Sequence, residues 1–554
     1  MKTATAAIKV LQEQNARFVF GIPGGQTLYF TDALREAGIQ FVQTRHEGVA
    51  AGAADVYGRL TGQPGLCLAT TGPGATNLLT SIGGALRDSS PMIAFVFQNT
   101  LAGAGRGDAQ EADHELLFGS LVKKYIPVRH PDAVVWAMRE AYRIAMTGRP
   151  GPVVVDFYRD VIEKGKCEYT AEVPENYCAA MEFIPPAAQL DAAARKLASY
   201  EKVAIWCGNG VKMSHCGQAV LNLATRLNAP IVTTFNGISS VPTEHPLVFG
   251  ARTRHGTQLT KAILEDADCL LVLGSSMSSV STNRWGLKLK KVIQVDFAPE
   301  QIGKQYPVEL GLLGELRLVL RELLTRIKPT QCAARDGWVR ELKAQFAAWK
   351  QNVYTGAVND EIVTPAAPVA LMRKLNECFR EDDMICVDAG NPGAWSHLFR
   401  LSDKNSYFKP VNYGNMGFSI PASLACALAE PDKQVLCFIG DGSLGMTLGD
   451  LESIARFTSN VAIIVFNDHA YGNIKQEEQF KFGDGHYYAV DLYRPADYSG
   501  VAKAFGLGTE KIQTAAQMPE ALARARAHKG SYLIEVEFDG SYTIWPEAFL
   551  WNQK

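Results

Sequence analysis

Short runs of β-branched and other apolar residues alternate with segments whose apolar positions recur every three or four residues through most of the chain. Gln40–Thr44, Gly65–Thr70, Met92–Gln98, Val153–Phe157, Val203–Cys207, Pro230–Thr234, Cys269–Gly274, Val292–Val295, Met384–Val387, Gln434–Ile439 and Val461–Asn467 are predicted as buried strands. Continuous apolar strands separated by helices predict parallel sheets covered on both faces. Two stretches break the alternation. Lys166–Ala188 is rich in Pro, Glu and Tyr without a period, and Lys328–Pro368 holds an amphipathic helix at Trp338–Trp349, a polar stretch and Pro365–Pro368. Read as linkers, they divide the 554 residues into three doubly wound α/β domains, at 1–166, 188–328 and 366–541.

An internal repeat relates the outer domains. At a constant offset of 368, Gly65–Asn99 falls without gaps on Lys433–Asn467, Gly72-Pro73-Gly74 on Gly440-Asp441-Gly442, and Asn99 on Asn467. Each half reads strand, glycine turn, helix, strand, as two copies of one unit would. The copies differ at the turn and at the second strand end. The second has Asp441 and Asp468 where the first has Pro73 and Thr100, so a metal site on these turns is expected only in the second copy.

The stretch Gly440–Asp468 carries the chemistry. A right-handed strand–helix–strand crossover puts Asp441 and Asp468, 27 residues apart, at the same carboxyl edge of a parallel sheet. Two carboxylates beside a helix N-terminus repel each other unless a hard divalent cation joins them. The free N–H groups of Gly442 and Ser443 would meet an anion there. Metal and anion together imply a phosphorylated cofactor, most economically a diphosphate bridged by Mg²⁺. Alone, Gly-Asp-Gly is a turn and Asn-Asp a strand end; the spacing across one crossover is what raises the pair to a site.

The string GDGSLGMTLGDLESIARFTSNVAIIVFND resembles the thiamine diphosphate signature. The resemblance extends over nearly the whole chain to the acetohydroxyacid (acetolactate) synthase-like family, through FGIPGG at Phe20–Gly25, TRHEGVAAGAADVYGRLTG at Thr44–Gly62, TTGPGATN at Thr70–Asn77, GDAQE at Gly107–Glu111 and GNMGFSIPA at Gly414–Ala422. It implies a pyrimidine-binding first domain, a Rossmann-like middle domain and a diphosphate-binding third domain. Glu47, by itself a carboxylate favouring a helix N-terminus, matches the Glu that hydrogen-bonds N1′ of the aminopyrimidine. That bond makes the 4′-amine acidic enough to form its imine, which takes the proton from thiazolium C2. Gly24, Gly25, Pro73 and Asn77 match the rest of the pyrimidine half. At the repeat offset Glu47 pairs with Asn415; beside it Gly414 would accept from the 4′-amine and Met416 would hold the cofactor bent. Asp441, Asp468 and the carbonyl of Ala470 would hold Mg²⁺, with Gly390, Asn391, Gly440, Gly442, Ser443, Gly472 and Asn473 around the diphosphate. Glu47 and Asp441 lie on different copies, which meet between chains in this family, so a homodimer or homotetramer is implied.

Simple decarboxylases of the superfamily deliver a proton through tandem His. The corresponding loop here, GRGDAQEADHELL, has His114 alone and instead Gln110-Glu111. Gln110 can orient a carbonyl without quenching the reactive carbon, which favours carboligation; its plainer reading is a residue of a solvated loop. Acetolactate synthase-like chemistry on a small 2-oxo acid is the first expectation. Two departures keep a C–C lyase on 2-hydroxyacyl-CoA or 2-hydroxy ketones open. The flavin-associated Gly-x-Arg-x-Asp-Asp-Arg pattern is replaced by GSSMSSVSTNR at Gly274–Arg284, which argues against FAD, and Gly-Gln-His-Gln by Gly390-Asn391-Pro392-Gly393. The Gly208-Asn209-Gly210 turn could line the adenosine of a nucleotide or coenzyme A. A non-catalytic cofactor-binding subunit is a third reading, opposed by the presence of Glu47, Asp441 and Asp468 together. Tyr471–Tyr488 is read as a mobile lid, and the tail SYTIWPEAFLWNQK as packing on a neighbour or closing the substrate channel.

Composition only narrows the field. With 55 Lys+Arg against 57 Asp+Glu, no basic excess points to nucleic acid or an anionic membrane. No apolar run approaches membrane-spanning length. The eleven Cys form no C-x-x-C pair, which favours buried free thiols. MKTATAAIKVLQEQ has no apolar h-region, so a cytoplasmic protein without a signal peptide is expected.

Overall fold

The structure is a computed structural model, and it describes residues 1–178, 182–254, 256–329, 331–354, 358–493 and 496–541. All but the first residue of the aromatic tail lies outside the described residues. Three parallel six-stranded sheets follow one another along the chain. The first holds β1 (Phe18–Gly21), β2 (Gln40–Gln43), β3 (Gly65–Ala69), β4 (Met92–Gln98), β5 (Lys124–Val128) and β6 (Pro152–Tyr158). The second holds β7 (Val203–Cys207), β8 (Ile231–Thr234), β9 (Val248–Arg252), β10 (Cys269–Leu273), β11 (Lys291–Asp296) and β12 (Leu310–Leu313). The third holds β13 (Met384–Val387), β14 (Ser406–Phe408), β15 (Val435–Gly440), β16 (Val461–Asn467), β17 (Gly508–Ile512) and β18 (Tyr532–Glu537). Helices cover both faces, as buried apolar strands require.

The strand orders reveal the kinship of the domains. The first sheet runs β2-β1-β3-β4-β6-β5 and the third β14-β13-β15-β16-β18-β17, the same path twelve strands later. The middle sheet runs β12-β11-β10-β7-β8-β9, the doubly wound order of dinucleotide-binding folds. The repeat is not gapless in space. Gly65 pairs with Met92 and Val435 with Val461, so the second copy's crossover is one residue shorter between paired positions. The slip falls in the crossover: the first copy folds it as helices Pro73–Asn77 and Leu79–Asp88, the second as Asp441–Thr447, a single 3₁₀ turn and Leu451–Phe457.

The outer domains share a core. Helix Glu47–Thr61 lies on helix Ser419–Ala429, with Ala50, Ala53 and Ala54 in one apolar cluster with Ile420, Ala422 and Ala425. Small residues allow the close approach; a Cβ on Gly52 would stand 2.9 Å from the Pro421 ring. The Arg45 backbone N–H donates to Asp450 at 2.8 Å and its guanidinium meets Glu452 at 3.0 Å. The middle domain keeps a separate core drawn from Leu190 to Leu342. Helix Ala333–Tyr354 contains the amphipathic segment predicted in the second linker and extends it at both ends. No helix among the described residues is long and apolar enough to cross a membrane, and the eleven Cys are free.

Candidate active site

In the third sheet the chain turns one way from β13 to β14 and the other from β15 to β16, so the strand order reverses between β13 and β15. Such a switch point opens a crevice beyond the carboxyl ends of the strands. A cavity of about 220 Å³ lies there. Gly390, Asn391, Gly414, Met416, Gly440, Asp441, Gly442, Ser443, Asp468, Ala470, Gly472 and Asn473 all line it. These are the candidates the sequence placed in the third domain.

The two carboxylates face each other at its floor. Helix Asp441–Thr447 starts directly after β15, and Gly442 N–H donates to Asp441 Oδ1 at 2.9 Å. Asp441 Oδ2 is buried without a partner. Asp468 follows β16, and Asn391 Nδ2 donates to its Oδ2 at 3.0 Å, while Asn391 Oδ1 is also buried and unpartnered. Burial, reinforced by the charge of Asp468, pushes the Asp441 carboxyl up to about 8. Burial likewise pushes Asp468 to about 6, although the Asn391 hydrogen bond opposes it. The backbone at 472 closes on this pair: a Cβ there would lie 1.9 Å from Asp468 Oδ2, so only glycine fits. Repelling carboxylates beside orphaned oxygens form a donor set for a hard cation. The described residues hold no group of three or more His, Cys, Asp or Glu that could bind a metal, so carbonyl or ligand oxygens would have to complete the coordination.

The first domain gathers its own cluster at the matching sheet edge. Helix Glu47–Thr61 opens on Glu47, capped by His46, whose Nδ1 accepts from Gly48 N–H at 2.9 Å. The Glu47 carboxylate is buried and accepts from Asn77 Nδ2 at 2.9 Å. A Cβ on Gly74 would sit 3.4 Å from Glu47 Oε1, and one on Gly24 would meet Thr70 at 2.6 Å. Gly25 and Pro73 are exposed beside them. Gln110 is exposed in a left-handed conformation, φ +62°, uncommon for a residue with a side chain. Its neighbour Glu111 fixes the loop by accepting from the N–H groups of Gly105 at 2.5 Å, Gly107 at 2.7 Å and Asp108 at 3.2 Å, and these backbone bonds, that from Gly105 first, hold its carboxyl below the usual range.

His114 is a buried clamp under that loop. Its Nε2 accepts from Gly72 N–H at 3.2 Å, which leaves the proton on Nδ1, 3.0 Å from Asp156 Oδ2. Tyr125 donates to the same oxygen at 2.5 Å. The network ties the Gly72 turn to the segment carrying Gln110, a role its sequence setting did not suggest.

No first-domain residue lines the cavity around Asp441, so the two clusters stand apart within the chain. Tyr471 and Ile474 line the cavity with half-exposed side chains, and Leu28 and Tyr29 are exposed on the helix that follows Gly25. Sequence reasoning missed Tyr471, whose ring lies 2.7 Å from a Cβ on Gly442, and buried Asp388, which accepts from Gly417 N–H and Ser419 N–H. An acid directly after a predicted strand was the available signal for Asp388. The expected lid at Tyr471–Tyr488 is in part a helix, Gly472–Phe482. No glycine interrupts it until Gly483, φ +95°, ends it, and its first turn is cavity wall. In the middle domain a Cβ on Gly208 would strike the Gly274 carbonyl at 2.2 Å, and Asn209, Gly210, Ser275 and Asp296 line a separate cleft together with Arg149 of the first domain.

A switch-point crevice with paired acids, on one of two related α/β domains separated by a dinucleotide-type domain, defines a cofactor-dependent enzyme class. Residues 1–117 match the thiamine pyrophosphate enzyme N-terminal TPP binding domain, 190–323 the central domain and 388–536 the C-terminal TPP binding domain. The chain belongs to the thiamine pyrophosphate enzyme family. It is 31% identical to the probable acetolactate synthase large subunit of Methanocaldococcus jannaschii, covering 97% of this chain and 92% of that one. It is 30% identical to the protein so named in Methanococcus aeolicus, over 98% and 93% of the two chains. Identity to the acetolactate synthase isozyme 2 large subunit of Escherichia coli (strain K12) is 28%, over 99% and 97%.

Proposed function

We propose that the protein decarboxylates a small 2-oxo acid and joins the remaining acyl carbon to a second carbonyl, with release of CO₂. The observation that carries this reading is the pair Asp441–Asp468 in a glycine-walled crevice, on a chain similar over its whole length to acetolactate synthase large subunits. Thiamine diphosphate, when bound, would supply a nucleophilic carbon and an electron sink for loss of CO₂ from a 2-oxo acid. Asp441, Asp468 and the Ala470 carbonyl hold Mg²⁺. Gly390, Asn391, Gly440, Gly442, Ser443, Gly472 and Asn473 surround the diphosphate, and Met416 supports the cofactor from the side of Gly414. Glu47 holds the proton at N1′ of the aminopyrimidine, and Asn77 fixes its carboxylate for that bond. Gln110 orients the incoming carbonyl.

The site is completed by a second copy of the chain, whose first domain brings Glu47 to the Asp441 crevice. The exposed apolar side chains of Tyr471 and Ile474, and of Leu28 and Tyr29, support this assembly, at least a homodimer in the cytoplasm. A panel of 2-oxo acids and 2-hydroxyacyl-CoAs, read for CO₂ and aldehyde, tests the reaction. CO₂ from a 2-oxo acid with a C–C coupled product is expected. Aldehyde from a thioester, with CO₂ from no 2-oxo acid, would replace it by the lyase reading. The arginines 87, 149 and 252 lining the middle cleft favour that second reading, since they suit a coenzyme A adenosine phosphate, and the altered Gly274–Arg284 segment speaks against FAD there.

A further inference from the structure

A second cavity, of about 420 Å³, opens where the three domains meet. It shares no residue with the crevice around Asp441, and only Asn209, Met213 and Asn236 with the middle cleft. Lys212 sets an ammonium group in its wall, and the ammonium of Lys409 lies behind it, turned to Asp388 and Phe235. Lys212, on the short helix Asn209–Met213, donates to the Tyr407 carbonyl and lies over the Tyr407 and Phe408 rings, 5.8 and 5.1 Å away. Lys409 follows β14; it is 7% exposed, donates to the Asp388 carbonyl at 3.2 Å and lies 4.9 Å from the centre of the Phe235 ring.

The acids nearby are engaged elsewhere. Asp55 and Asp88 hold Arg59, Glu430 holds Lys433 and Glu381 holds Lys404. The Asp388 carboxylate is occupied by backbone N–H groups and Ser419. Among the described residues neither Lys212 nor Lys409 makes an ion pair, and the exposed Asp403 is the remaining acid at the rim. Burial lowers Lys212 to about 7 and Lys409 to about 8. Ser239 and Ser240 also line the cavity, 3% and 5% exposed, and both hydroxyls are buried without a partner.

An ammonium group without a counter-ion and two unpaired hydroxyls in one wall leave donor capacity and charge unanswered. A phosphate answers them together: it brings several charged acceptor oxygens and no competing hydrogen beyond its own acid proton. The space exceeds one phosphate and admits an organic ester. We propose that this three-domain cavity binds a phosphate-bearing small molecule, its oxygens taken by Lys212, Ser239 and Ser240.

Calorimetric titration of the thiamine diphosphate- and Mg²⁺-saturated enzyme tests this, with inorganic phosphate and AMP as probes. Saturation with cofactor removes its diphosphate site from competition. Binding is expected at one site per chain, with proton uptake near pH 8 in buffers of different ionisation enthalpy, because the anion recharges Lys212. Tighter binding of AMP identifies an ester, and equal binding a free phosphate. K212M should weaken binding about tenfold or more, and S240A by a smaller factor, with kcat and KM of the basal reaction unchanged. No binding of either probe at millimolar concentration, or binding undiminished in both K212M and S240A, would overturn the proposal.

Discussion

The first and third domains follow one strand path, yet hold their ligating groups in opposite ways. At the turn after its third strand the first domain has Gly72, φ +56°, pressed against the Gln110 carbonyl, and Pro73 exposed at the helix start. The third has Gly440 in ordinary extended backbone, φ −83°, followed by buried Asp441. The first copy uses its turn to hold a loop, and its acid comes from another element, Glu47 on a long helix. The third puts the acid in the turn itself. One scaffold therefore carries its buried acid on a long helix in one copy and at the turn after the third strand in the other. What distinguishes them is which position at the sheet edge is acidic and how deeply it is buried.

The largest expected effect breaks the first half of this pairing. Glu47→Ala should cost roughly 10²–10⁴-fold in turnover, with the circular dichroism of the fold retained and diphosphate-side cofactor binding preserved. A fully active variant would remove Glu47 from the mechanism. Asp441→Asn should abolish Mg²⁺-dependent cofactor binding, measured by titration, while stabilising the metal-free protein. The sign follows from protonation. With its carboxyl raised from 3.8 to about 8, the metal-free folded state binds more protons than the unfolded chain across that window. Its stability therefore falls as pH rises through it. Melting temperatures at several pH values should show this slope in the wild type and a flatter one in Asp441→Asn.

The matched glycines sharpen the contrast. Gly72→Ala forces a Cβ to 2.1 Å from the Gln110 carbonyl at positive φ, and should cost about 3 kcal/mol or more by denaturant unfolding. Gly440→Ala meets nothing nearer than 3.8 Å and should stay within about 1 kcal/mol. Equal costs would show that the turns are not used differently. Asp468→Asn should have the smallest effect, a several-fold loss of Mg²⁺ affinity with near-normal turnover at saturating metal, because one oxygen of Asp468 is already taken by Asn391 while the unpartnered Asp441 Oδ2 keeps its charge.

The sequence made the sheets legible where strands are wholly apolar, as at Val461–Asn467. It hid short strands such as Phe18–Gly21 and Leu310–Leu313, and some that bury a charge, although Val153–Phe157 was legible despite its buried Asp156. Tyr532–Glu537 pairs with β16, yet carries Glu535, which is 4% exposed because Asn467 and Ser499 N–H donate to it. Val248–Arg252 was obscured in the same way by Arg252. The crevice around Asp441 was legible because local spacing along one crossover builds it. The clamp through His114 was not, since Asp156 and Tyr125 reach it from strands far along the chain.

The outer domains fuse their interiors through helices Glu47–Thr61 and Ser419–Ala429, while the middle domain keeps a separate interior apart from Phe235, Ile238 and Ala251, which reach into the third. Mutational pressure is thereby partitioned. Replacements inside the middle module can change what it recognises with little mechanical disturbance of the catalytic halves, whereas a volume change between the two helices strains both halves at once.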